Sequence, residues 1–349
     1  MTTDPVGGVW TYALELAHGL RKHDVEVTLA VMGPRMRPDQ RAEVSASHLH
    51  GVHEFECALE WMERPWADVD RAGSWLLRIA DEVNPDVVHL NSYAHAALDW
   101  DVPVVVVGHS DVLSWHEAVR GEPAGREWQS YRRVVEAGIR SADLLVTPTQ
   151  AMLDELVRLY EPQCPQLVIP NSSARGFPRG PKERLILTVG RIWDEAKNVQ
   201  ALVRVAPRLS WPVAVAGAGS TGSSLSALGV LDRQQMDSVF GAAAVFAEPA
   251  HYEPFGLAAL EAGRAGCALV LGDIPSLREV WGDSALFVPP NDEDELERCL
   301  RALIDEPRLR AIVAERACAR ALTYSTERTA DAYADALRSV LQRDPVWTS

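Results

Sequence analysis

"RLILTVGRIWDEAKN" (residues 184–198) begins as an unbroken, mostly apolar run, closes on Gly190 and breaks into a charged turn. A strand buried on both faces reads this way, as in a parallel sheet covered by helices. The pattern recurs on either side. Before it stand "VEVTLAV" (25–31), "DVVHL" (86–90), "PVVVVG" (103–108), "DLLVT" (143–147) and "QLVIP" (166–170). After it stand "PVAVAG" (212–217), "AAVFAE" (243–248), "CALVLG" (267–272) and "ALFVPP" (285–290). Longer amphipathic runs separate them, so repeated βαβ units are predicted. The stretch "NSSARGFPRGPKE" (171–183), rich in Gly, Pro, Ser and charge, is the best linker. The prediction is α/β: two doubly wound, Rossmann-like domains facing across a cleft, with ligands at the carboxyl ends of strands. Residues 1–178 form the first domain, 179–324 the second, and 325–349 a closing segment with helical periodicity.

The totals agree with this plan. A chain of 349 residues is more than one core usually serves. Apolar residues make up 47% and charged residues 24%, as in ordinary globular proteins. A net charge of −15 argues against nonspecific nucleic-acid binding or electrostatic attachment to anionic lipid. No apolar run approaches a membrane span and no signal peptide is visible. Cys57, Cys164, Cys267, Cys299 and Cys318 are scattered, with no CxxC, so reduced thiols and a cytoplasmic location are expected.

Two stretches carry chemistry. In "HYEPFGLAALEAGRAG" (251–266), Glu253 stands at the mouth of an apolar helix and Glu261 eight residues on, inside it. Any two glutamates alone are more often a loop residue and a helix-surface residue. Here "EPFG" sets a carboxylate beside the free amides of a helix N-terminus, which attract an anion. A glycosidase pair lies ~5–9.5 Å apart. Eight residues of helix would rise ~12 Å, which favours two carboxylates gripping different parts of one long ligand. Sugar hydroxyls are natural donors to them. In "VGRIWDEAKN" (189–198), Arg191 and Lys197 follow the strand-end Gly190 and are placed to converge on one anion, a fork beside a point charge. The bland alternative is a solvated loop with a cap at Asn198.

In this order and at this separation, the two stretches resemble family 4 retaining glycosyltransferases of GT-B fold, also called glycosyl transferases group 1. The resemblance covers nearly the whole chain. It implies transfer of a hexose from a nucleotide diphosphate sugar, with retention and without a metal or other cofactor. Arg191 and Lys197 would hold the diphosphate. Glu253 would bind hydroxyls of the transferred ring and Glu261 those of the ribose. The amides of Phe255, Gly256 and Leu257 would meet sugar or phosphate. His109, after "PVVVVG", would face the donor sugar, and Gly7 and Gly8 would let backbone approach the diphosphate. Gly190 and Val230, the latter in "GVLD", would lie along the nucleotide. The final helix would cross back onto the first domain. The acceptor is a sugar, a lipid or a small molecule. Nucleic acid is not expected as a partner, and the acidity gives no support to membrane contact.

The start of the chain departs from the family. The helix "VWTYALELAHGL" follows Gly7 and Gly8 as the pattern requires, but the strand before them is missing or reduced to "MTT". The expectation is that Met1 is an internal methionine near the end of that strand and that the natural chain starts upstream. A noncatalytic nucleotide- or sugar-binding protein, disabled by this truncation, is therefore the alternative function. An NAD(P)-linked oxidoreductase is a third, disfavoured because "VAVAGAGS" has Gly217 and Gly219 but no complete fingerprint. Ser172 stands where the family commonly has Gly. His48, His50 and His53 lack a completing ligand and are not expected to hold a metal. No DxD-type motif ends a strand, and "NDEDE" (291–295) reads as an acidic helix start. Residues 40–70 show no readable element. Trp61, Trp66, Trp115 and Trp128 are acceptor-site candidates no stronger than core residues.

Overall fold

The computed structural model describes residues 1–178, 180–220 and 224–342. Residue 179, the expected start of the second domain, and 343–349, the end of the closing segment, lie outside them. The chain divides into two compact units. One comprises Met1–His116, Pro123–Asn171 and the chain from Thr326. The other comprises Glu117–Glu122 and Ser172–Ser325. The change of unit thus falls at Asn171, at the start of the linker-like stretch rather than near its end.

Among the described residues the first unit holds seven parallel strands in two blocks. β1 (Thr2–Thr3), β2 (Thr28–Gly33) and β3 (Gly51–Glu56) form one. β4 (Val88–Leu90), β5 (Val104–Val107), β6 (Leu144–Thr147) and β7 (Gln166–Val168) form the other. The first strand is therefore present but only two residues long, in register with Ala30 and Val31. It does not reach β4 by a ladder. Instead Asn91, the residue after β4, donates its backbone N–H to Thr2 Oγ1 (2.9 Å) and its side-chain amide to Thr2 O (2.7 Å). Two side chains, the Asn91 amide and the Thr2 hydroxyl, thus take the place of ladder bonds, which satisfies backbone groups that would otherwise be buried bare.

Helix Gly8–Leu20 buries Trp10, Ala13, Leu16, Ala17 and Leu20 against β2 and β5. Each large apolar side chain so buried contributes about 1.5–3 kcal/mol. Helix Thr326–Leu341 packs on this helix through Tyr333, Ala334 and Leu337. The approach is close: a Cβ on Gly19 would stand 2.7 Å from that of Ala330. Residues 40–70, unreadable in the sequence, contain the end of helix Pro38–Ala46 and β3. His53 lies in β3, and no metal-ligating cluster exists among the described residues. Trp61, Trp66 and Trp128 pack against core clusters, and Trp115 against His116.

The second unit is one six-stranded parallel sheet: β8 (Glu183–Val189), β9 (Val213–Ala216), β10 (Ser226–Gly229), β11 (Ala243–Glu248), β12 (Ala268–Gly272) and β13 (Leu286–Val288). The spatial order is β10-β9-β8-β11-β12-β13. Chain progression reverses between β8 and β11, so the crevice beyond their carboxyl ends is where such a sheet takes a ligand. Among the described residues no helix is long and apolar enough to cross a membrane. The five cysteines are free thiols.

Candidate functional site

The loops after β8 and β11 meet at this switch point. Gly190 directly follows β8, and the turn it opens is stapled from within. Asp194 accepts Arg191 Nη2 at 2.6 Å and the amide of Ala196 at 3.1 Å. Asn198 adopts a left-handed conformation (φ 50°) that reverses the chain into helix Val199–Val205. Its amide donates to Pro249 O (2.9 Å) and Pro290 O (2.8 Å), tying the turn to the ends of β11 and β13. The backbone N–H of His251 donates to Ala196 O (2.8 Å). The loop carrying both cations is thereby fixed to the loop carrying Glu253.

Lys197 Nζ lies between two carboxylates, Glu248 (2.7 Å) and Glu253. Burial works against its charge, but the two carboxylates outweigh burial and hold it above its ordinary value. Burial would also raise Glu253, yet Lys197 and the amides of Gly256 (2.9 Å) and Phe255 (3.4 Å) hold it below the usual carboxylate range. Glu248 goes the other way. It is 1% exposed, burial pushes it up to about 7, and its Oε2 has no hydrogen-bond partner. One cation thus keeps one carboxylate ionised and leaves the other poised.

The helix mouth differs from expectation. The amides of Phe255 and Gly256 are engaged by Glu253 itself, because Gly256, at φ 88°, folds the loop back onto that side chain. The Phe255 ring is core, 2% exposed. Helix Leu257–Arg264 then carries Glu261 inward. Glu261 accepts Arg175 Nη1 at 2.7 Å, while Arg175 Nη2 meets Asp237 Oδ1 at 2.5 Å. Burial raises the Glu261 carboxyl against the pull of Arg175. Arg191 is the more exposed cation and lies over the Trp193 ring, 5.2 Å from its centroid. Val230 is exposed just past β10. Asp194, Glu248 and Arg175 were absent from the residues singled out in the sequence. Glu248 had one signal, a lone acid at the carboxyl end of an apolar strand.

The first unit positions the remaining candidates. Gly7 has φ 100°, which favours glycine, and Gly8 begins the helix. Four residues further, the Tyr12 ring meets His109 edge-on at 4.5 Å. His109 Nε2 lies 2.9 Å from Asn91 Oδ1, and burial lowers the imidazole to about 3.

Glu248 gives the site a pH signature. Its folded value lies above the ordinary 4.5, so the native state holds a proton that the unfolded chain releases. Its stabilising contribution is complete below pH 4.5 and is lost as pH rises toward 7. Urea unfolding should show Glu248→Gln gaining about 1–3 kcal/mol on wild type between pH 4.5 and 7. Parallel curves for the two proteins would contradict this.

Comparison with known proteins fits this geometry. The Glycosyltransferase Family 4 model matches residues 6–172, and the Glycosyl transferases group 1 model matches residues 183–306. The chain is 30% identical over 274 residues to a glycogen synthase of Mycobacterium tuberculosis, covering 68% of this chain and 65% of that protein. It is 31% identical over 287 residues to a D-inositol 3-phosphate glycosyltransferase of Saccharomonospora viridis, covering 69% and 66%. The chain thus spans just under two thirds of the length of these curated relatives. The solved structure of Anabaena HepE in complex with UDP-glucose is similar in fold, with a TM-score of 0.76 and 17% identity over 97% of this chain and 99% of that one.

Proposed function

We propose that this chain, which belongs to the group 1 glycosyl transferases of glycosyltransferase family 4, moves a hexose from a nucleotide diphosphate sugar to a hydroxyl of an acceptor, with retention and without a metal. The observation that carries the proposal is Lys197 held between Glu248 and Glu253 at the switch point of a parallel sheet, with Arg191 on the same turn. Departure of a nucleoside diphosphate builds negative charge, and fixed cations there offset it without reorganising. In the same proposal Glu253 takes hydroxyls of the transferred ring and Glu261 those of the ribose. Leu257 opens the helix whose amides face sugar or phosphate, and Gly190 and Val230 flank the nucleotide. From the first unit His109 serves the sugar, and Gly7 and Gly8 the diphosphate. UDP-glucose is the first donor to try, because the fold relative HepE was solved with it.

Calorimetry with UDP, GDP and ADP tests the donor site. One diphosphate should bind, and Arg191→Ala should weaken it on the order of tenfold, the scale of one charge-assisted contact at a half-exposed side chain. Turnover should survive EDTA. No binding by any of the three would remove the donor assignment.

A further inference from the structure

We propose that Asn91 is a positioning residue that fixes His109 as the neutral tautomer protonated on Nε2, so that Nδ1 offers its lone pair to a hydroxyl of the transferred sugar. The proposal rests on the assignment of His109 to that sugar.

The orientation of the Asn91 amide decides the matter. A carbonyl oxygen only accepts, and Thr2 O lies 2.7 Å from Nδ2 of Asn91, so that end of the amide is the NH2 group. The backbone N–H of Asn91 is held as well, by Thr2 Oγ1 at 2.9 Å. Oδ1 therefore points the other way, to Nε2 of His109 at 2.9 Å and Nε2 of His89 at 3.3 Å. An amide oxygen has no proton to give, so the nitrogen that meets it supplies one. For His109 this places the proton on Nε2. The ring packs edge-on against Tyr12 and is disfavoured as a cation by burial, which leaves Nδ1 unprotonated. No described residue hydrogen-bonds to that nitrogen, and His109 is partly exposed. His89 follows the same rule: with its proton on Nε2, shared toward Asn91 and Tyr12 OH (3.3 Å), its buried, partnerless Nδ1 is a bare lone pair rather than an orphaned N–H. The short first strand thus has a second effect. By taking the amide of Asn91, Thr2 sets which end of that side chain the histidines see.

The test reads the tautomer directly. The full chain is prepared with ring-15N histidine, and His109 is identified by the loss of its signals in His109→Gln. At pH 7 the wild type should show a protonated Nε2 and an unprotonated Nδ1 on His109. In Asn91→Ala the two nitrogen signals should move toward each other as tautomers exchange. A proton on Nδ1 in the wild type, or a His109 spectrum indifferent to Asn91→Ala, would overturn the proposal. A proton on Nδ1 in the wild type overturns the proposal even if the Asn91→Ala variant fails to fold, and Asn91→Asp, which keeps the accepting oxygen, should retain the wild-type tautomer. Kinetics supply a second readout. Asn91→Ala should raise KM for UDP-glucose about tenfold, the upper range for one neutral hydrogen bond, while UDP binding by calorimetry changes less than about twofold. The double variant should be no worse than His109→Gln alone. If neither UDP-glucose nor any of the three diphosphates binds, the donor assignment fails, and the spectra still decide whether Asn91 sets the tautomer.

Discussion

Lys197→Met should lower turnover on the order of a thousandfold, read as release of nucleoside diphosphate from the donor sugar. Removing one preorganised donor to developing charge costs about a hundred- to a thousandfold, and Lys197 is a full, largely buried charge rather than a dipole. Stability should fall too. Deleting one partner of a buried ion pair costs about 3–5 kcal/mol, because the other charge stays uncompensated. Here the loss should sit near the lower end. Glu248 already lies close to neutrality at pH 7 and can take a proton, while the Gly256 and Phe255 amides still serve Glu253. The double variant Lys197→Met/Glu248→Leu separates the two roles. It removes the cation and the poorly satisfied carboxylate together, so urea unfolding should recover most of the lost stability. Turnover should not recover. A single variant that keeps turnover within about tenfold of wild type would show that Lys197 is not the cation that receives the diphosphate.

What the sequence revealed follows from how local each signal is. The ten apolar runs all became strands, most of them because burial on both faces is written into consecutive residues; Gln166–Val168 is the exception, a largely exposed edge strand. The other three strands lack that signature, and of them only the first was read, as the remnant "MTT". "GVHEFE" (Gly51–Glu56) alternates and is only half-buried, so its histidines drew more notice than its pairing. "SALG" (Ser226–Gly229) is an exposed edge strand. β1 is two residues long and depends on Asn91, 89 positions away. The site divides the same way. Arg191, Lys197, Glu253 and Glu261 were legible because their spacing within single loops and helices carries the pattern. Their partners were not. Glu248 reaches Lys197 across 51 positions and Arg175 reaches Glu261 across 86. Only the sheet order brings them together. The helix-mouth amides misled for a related reason: the sequence placed Glu253 beside them but did not show that it would turn back and occupy two.

Gly217→Ala should be the most damaging small substitution in the second unit, and the reason lies in the glycines that looked like half of a dinucleotide fingerprint. Gly217 directly follows β9 at φ 150°, and its N–H donates to Gly229 O at 2.8 Å. A Cβ there would stand 1.8 Å from Gly190 O and 2.7 Å from its carbonyl carbon. Both are backbone atoms, so no side chain can rotate away. Gly219 repeats the approach one step on, where a Cβ would stand 2.7 Å from that of Ile192. These glycines let the ends of β8 and β9 press together, which is what places the Arg191–Lys197 turn. Overpacking alone costs about 1–3 kcal/mol, and a nearly glycine-only backbone conformation adds a comparable amount, so a loss of about 3 kcal/mol or more is expected. If the fold gives way by moving the Gly190 peptide, both cations move with it. A displacement of about 1 Å at such a site can cost on the order of a hundredfold in rate. Gly229→Ala is the control. Its φ is 72°, it neighbours the same strand end, and among the described residues nothing lies within 4 Å of an added Cβ. It should cost only the left-handed backbone term, about 1–2 kcal/mol, and leave nucleoside diphosphate binding intact. Matching urea midpoints and diphosphate affinities for the two variants would mean that backbone freedom alone, and not the contact with Gly190, is what position 217 requires.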